Sequence, residues 1–117
     1  MQVQLNTDNH VPGSQDLAAW VDSEVRSTLK RFADKVNRVE MHLHDLDNGK
    51  SHGDDKRCVI EARVVGRSPL SVTHDAPIMD RAIRGALEKV AHAIDHALGK
   101  REAGLHGGAR PNLDDAD

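Results

Sequence analysis

A chain of 117 residues has room for one hydrophobic core, and a domain of this size folds without disulfide or metal staples. Sixteen Lys and Arg against nineteen Asp and Glu give a formal net charge of -3, which removes the prior a strongly basic nucleic-acid binder would carry, and a single cysteine excludes an internal disulfide. No apolar run nears the ~20 residues needed to span a bilayer, and no charged-then-apolar leader precedes the first apolar alternation, so the expected compartment is the reducing cytoplasm.

Gln2, Val3, Gln4, Leu5 and Asn6 alternate and predict a strand over residues 2–6, ended by the stretch from Asn9 to Gly13 with Pro12. Ser14 is a predicted N-cap. Leu17, Trp20, Val21, Val25, Leu29 and Phe32 then recur at helical spacing and predict a helix over 15–33, with Asp22, Arg26 and Lys30 on its outer face. Asp16 in its first turn and Lys30 and Arg31 near its last suit the helix dipole. Trp20 and Phe32 are the only aromatic residues besides histidine, so the core must be aliphatic.

Residues 36–75 read as three strands. Val39, Met41 and Leu43, then Cys58, Ile60, Ala62 and Val64, then Leu70 and Val72 place apolar side chains at every second position. The intervening Arg38, Glu40, His42 and His44, then Glu61 and Arg63, then Ser71 and Thr73 face water or a partner. A long polar connection from Asp47 to Asp55 joins the second and third strands, and Gly66 to Pro69 forms a tight turn into the fourth. Pro77 suits the first turn of a final helix carrying Ile78, Ala82, Ile83, Ala86, Leu87, Val90, Ile94, Ala97 and Leu98, which Gly99 is placed to end.

Residues 1–101 form one domain in which fifteen basic and fifteen acidic residues balance. Residues 102–117, with Glu102, Asp114, Asp115 and Asp117 against Arg110, hold too little apolar content to fold and are expected to be a disordered acidic tail. The order β-α-β-β-β-α pairs the first two strands in parallel through a helix and leaves the rest as an antiparallel meander. The expected class is therefore α+β: a two-layer sandwich, a four-stranded mixed sheet with two helices on one face and the other face open.

Chemistry is sparse. Cys58 alternates inward and is expected to be a buried structural thiol; Ser14, Ser23 and Ser51 lie in no nucleophile motif; no phosphate-cradling glycine pattern appears. His92 and His96 stand at i, i+4, and His42 and His44 share a strand face, so each pair offers two zinc ligands, yet neither brings the rest of a site. No enzyme activity, cofactor or metal is expected. With Ile94 at the centre of the buried stripe of the last helix, Arg81, Lys89, His92 and His96 fall on the opposite side. Such a strip suits phosphate binding, the plainer account being a solvated helix face. The open sheet face lacks the Phe or Tyr needed to stack bases.

The β-α-β-β-β-α order, the opening Met1-Gln2-Val3-Gln4-Leu5-Asn6 and the run Ala82-Ile83 followed by Leu87-Glu88-Lys89-Val90 resemble the ribosome hibernation factors, the ribosome-associated inhibitor A and hibernation-promoting factor family, over residues 1 to about 101. The resemblance implies a non-enzymatic bacterial protein with a fold like that of double-stranded-RNA-binding domains. It implies binding to the 30S or 70S ribosome and its 16S rRNA, in the decoding region, to inhibit translation in stress or stationary phase. No membrane or small-molecule substrate is implied. Lys30, Arg31, Lys35, Lys89, Lys100 and Arg101 match basic positions of the family, and with Arg26, Arg81, Arg84, His92 and His96 from the two helices they make up the expected rRNA-binding set. The chain departs from the family at Asp80, where many members have tyrosine, at Arg84, where they have aspartate, and at His92 and His96, where the resemblance leads one to expect lysine or arginine. The alternative reading is a protein-binding adaptor of the same fold that has lost the ribosome.

Overall fold

The computed structural model describes residues 1–8, 11–46 and 53–105, with side chains as far as residue 99. Its elements are strand β1 (Gln2–Thr7), helix α1 (Gln15–Thr28), a 3-10 turn (Lys30–Phe32), strands β2 (Val36–Asp45), β3 (Lys56–Val64) and β4 (Leu70–Ala76), and helix α2 (Met79–Leu105). The strands form one sheet in the order β1-β2-β3-β4, with β1 parallel to β2 and the remaining pairs antiparallel, as the expected α+β two-layer sandwich requires. Both helices cover one face.

Sequence alternation decides which face is covered. Val39, Met41, Leu43, Cys58, Ile60 and Ala62 are fully buried beneath Val21, Val25 and Leu29 of the α1 segment and Ile83, Leu87, Val90 and Ile94 of α2. A bulge near the start of β2 adjusts this pattern: Val36 pairs with Val64, but Arg38 already pairs with Arg63, so β2 carries one extra residue. The extra residue shifts the side-chain parity, and Val36 and Val39 both reach the core although they stand an odd number of positions apart.

The helix starts follow local chemistry. Ser14 Oγ accepts a hydrogen bond from the Leu17 amide at 3.0 Å, the N-cap expected of it. The α1 end differs from the predicted 15–33. Regular helix stops at Thr28, where Ser27 and Thr28 are weak helix formers, and the chain tightens into the 3-10 turn, with the Phe32 amide donating to the Leu29 carbonyl at 2.9 Å. The tighter turn places Phe32 in the core, where it is 5% exposed.

Two expectations for α2 are corrected. Ile78 is not on its buried stripe: it precedes the helix, is 54% exposed, and its carbonyl accepts from the Ala82 amide. Gly99 does not end the helix, which continues to Leu105. A mid-helix glycine costs about 1 kcal/mol relative to alanine, but Ala97, Leu98, Lys100, Arg101, Glu102 and Ala103 around it are mostly strong helix formers, so the helix passes through. Residues 102–105, assigned in sequence to the tail, are therefore helical; the remainder of that tail and the middle of the Asp47 to Asp55 connection lie outside the described residues.

One glycine of α2 is sterically required. Near Gly85 the helix passes so close to β4 that an added Cβ would sit 2.1 Å from Cδ2 of His74, which points from β4 toward the helix layer. The imidazole takes the space that any other residue at position 85 would fill.

Candidate nucleic-acid interface

α1 and α2 run in the same direction, since Arg84 meets Glu24 at 3.3 Å and, farther along both, Arg31 meets Asp95 at 3.6 Å. These contacts form a seam between the helices. Arg84 is its centre: its guanidinium also pairs with Asp80 one turn earlier and lies 5.3 Å from the centroid of the Trp20 ring. The carboxylates around it, Asp80 first, hold the Arg84 guanidinium even more firmly charged than usual.

The predicted rRNA-binding residues divide by what their side chains already hold. Arg26 Nε donates to both carboxylate oxygens of Asp22, at 3.0 and 3.1 Å, and Nη1 donates to the Met1 carbonyl, fastening the start of the chain to α1. Arg31 lies over Phe32 and pairs with Asp95; Arg84 is held in the seam. Lys89 is exposed, as its helix phase requires, but its Nζ donates to the Thr73 carbonyl of the edge strand β4 at 2.9 Å. Lys30, Lys35, Arg81, His92 and His96 are exposed and make no ion pair among the described residues. Lys100 and Arg101 lie in the last turns of α2, with side chains outside the description.

The free bases fall into two groups. Lys30 and Lys35 follow the end of α1, while Arg81, His92 and His96 lie on the outer, solvent-facing side of α2, opposite Ile94. Glu88, seven residues after Arg81 and four before His92, shares that outer face, and Asp95 lies at its seam edge, so carboxylates are interleaved with the bases of the helix layer. Sequence reasoning found all five of these bases and missed the seam, because Arg31 to Asp95 and Arg84 to Glu24 are contacts between helices. The pairing of Arg84 with Asp80, at i, i+4, was readable.

The opposite surface, the open sheet face, is cross-linked by charge. Arg38 donates from Nε to Glu40 at 2.7 Å, from Nη1 to Gln2 at 3.1 Å, and to Gln4. Arg57 forks onto Asp75 at 2.9 and 3.0 Å. His44 lies 3.2 Å from Asp8. The Arg38 and Arg57 hydrogen bonds hold the Glu40 and Asp75 carboxyls below the usual carboxylate range. Glu40, His42 and Glu61 also converge, with one ligand atom from each within 4.8 Å of the others. Sequence reading paired His42 with His44 and did not find this group, since Glu61 is brought in only by the β2–β3 register. Cys58 is fully buried and its thiol is pushed up to about 12 by burial, so it supplies no thiolate nucleophile.

Residues 5–102 match the family model described as Sigma 54 modulation protein / S30EA ribosomal protein. The chain belongs to this family. The fold of the Sigma 54 modulation / S30EA family is also found in solved structures. The N-terminal domain of Protein Y from Thermus thermophilus aligns with a TM-score of 0.64 at 17% identity, covering 80% of this chain and 96% of that one. A ribosomal subunit interface protein from Coxiella burnetii aligns with a TM-score of 0.64 at 14% identity, covering 85% and 99%. Among curated proteins no sequence match was found. The family is non-enzymatic, and among the described residues no helix is long and apolar enough to cross a membrane.

Proposed function

We propose that this chain is a ribosome-associated translation inhibitor that docks its helix layer on 16S rRNA in the decoding region of 30S and 70S particles during stress or stationary phase. Family membership over residues 5–102 carries the reading. It is supported by the exposed, unpaired Lys30, Lys35, Arg81, His92 and His96, which can each approach a phosphate without breaking an ion pair in the protein. Arg26, Arg31 and Arg84 act mainly in the protein, fixing the chain start and the helix seam. Lys89 contributes after releasing Thr73, and Lys100 and Arg101 add two positive charges in the last turns of α2.

The test is sucrose-gradient sedimentation of stationary-phase lysate containing the full chain. Co-migration with 30S and 70S particles that weakens with salt is expected. Migration at the top of the gradient at low salt would sink the ribosome reading and leave the adaptor, which the near balance of charge on the helix layer favours. Residues 106–117 are acidic and add little affinity for rRNA, so deleting them should leave sedimentation nearly unchanged.

A further inference from the structure

The β2–β3 register sets two pairs of like charge on the open sheet face: Arg38 opposite Arg63, and Glu40 opposite Glu61. Like charges directly opposite repel. The arginine pair is relieved by Glu40, Gln2 and Gln4, all of which hold Arg38. The carboxylate pair is relieved on one side only, because Glu61 makes no ion pair among the described residues although Arg63 lies two positions along the same strand face.

The orientation of Glu40 adds to this. Its Oε2 accepts from Arg38 at 2.7 Å, which turns Oε1 toward His42 Nε2 at 3.6 Å. Glu40 and His42 are partly buried, with side chains 26% and 31% exposed, while Glu61 is exposed. The result is one imidazole nitrogen and two carboxylates within 4.8 Å of one another, two of them held on one rigid strand and the third on its hydrogen-bonded neighbour. Ligands of a common ion, at about 2.1 Å from it, sit roughly 3 to 3.5 Å apart, so rotation of the exposed Glu61 side chain suffices to close the group.

We propose that Glu40, His42 and Glu61 form a binding site for a divalent transition metal. A mixed imidazole and carboxylate set suits zinc, cobalt, nickel or manganese better than calcium, which takes oxygen ligands alone. Three protein ligands leave at least one position facing solvent, where water or an oxygen of a docked partner enters. Arg38 and Arg63 flank the site and oppose a cation, while Arg38 also orients the Glu40 carboxylate, a role like that of outer groups around many metal ligands.

The test is titration of the full chain with Co2+ alone, read by paramagnetic broadening of backbone amide signals. Broadening centred on residues 40–42 and 60–62 is expected at substoichiometric metal. Glu61→Gln and His42→Ala should each weaken binding at least tenfold, with the melting temperature of Glu61→Gln in the absence of metal confirming that the fold is intact. A His92→Ala, His96→Ala double variant should bind as the wild type does. Broadening centred on His92 and His96 or on any other histidine, or binding unchanged by Glu61→Gln, would overturn the site. Ribosome association does not enter the measurement, so the outcome is independent of the functional reading.

Discussion

On the helix face, charged groups pair with a neighbour one turn away or across a narrow seam, and Lys30, Lys35 and Arg81 pair with nothing among the described residues. On the sheet face, Arg38 and Arg57 reach to other positions and strands, and their partners are fixed by backbone register. A helix-face charge can therefore be recruited by a partner without disturbing the backbone. A sheet-face charge is held in place by the same strand pairing that builds the core, which suits it to a preorganised site and makes it costly to redirect.

The comparison depends first on the phase of α2, which turns the free bases outward. Leu87 is 2% exposed, so Leu87→Ala should cost about 2 to 5 kcal/mol in denaturant unfolding, while His92→Ala should change stability by less than about 0.5 kcal/mol. Equal losses would mean the helix is rotated and the free bases misplaced. The spacing of the two layers is tested at Gly85. Gly85→Ala should cost about 1 to 3 kcal/mol because the whole His74 ring must move, and adding His74→Ala should recover part of the loss.

Binding sharpens the contrast directly. Lys30→Glu with Arg81→Glu should weaken ribosome association at least tenfold, about 1.4 kcal/mol, and reduce the salt slope by about 2. Ser71→Glu with Thr73→Glu on the sheet face should change it by less than twofold. Similar losses from both pairs would end the distinction between the surfaces.

The smallest effect concerns the sheet-face pairing itself. Hydrogen bonding from Arg57, with further help from its charge and those of His74 and Lys89, lowers the folded pKa of Asp75. A depressed carboxylate contributes stability that is present above its unfolded value of ~4 and lost as pH falls through the lower folded value. The pair is 41% and 31% exposed, so Asp75→Asn should cost roughly 0.5 kcal/mol or less at neutral pH, a gap that closes below about pH 4. A gap that persists at pH 2 would show that Asp75 acts by packing.

What was legible in the sequence follows the range of the physics. Ser14 as a cap, the Ile83, Leu87, Val90, Ile94 stripe and the alternation of β2 to β4 are signals carried by residues a few positions apart. The change to a 3-10 turn over Lys30–Phe32 and the passage of α2 through Gly99 were not read from the sequence, because the apolar spacing runs on past the weak helix formers Ser27 and Thr28, and the summed propensity of the residues around Gly99 outweighs the glycine. At the candidate interface, exposure of the free bases was readable from helix phase, whereas the Arg31 to Asp95 and Arg84 to Glu24 pairs required knowing that the helices lie side by side. The Glu40, His42, Glu61 group needed the β2–β3 register.

The single parallel pairing also sets an order of assembly. Lys56 reaches Asp45 across 11 positions of chain, whereas Arg38 reaches Gln2 across 36. Loop closure for the second costs about 1 kcal/mol more than for the first, before any contact repays it. The β2–β3 hairpin is thus positioned to nucleate folding, and β1, an edge strand tethered only through α1, docks late. In the folded protein the same asymmetry makes β1 the first strand to detach, so its amides should exchange with solvent through openings smaller than global unfolding, ahead of those in β2 and β3.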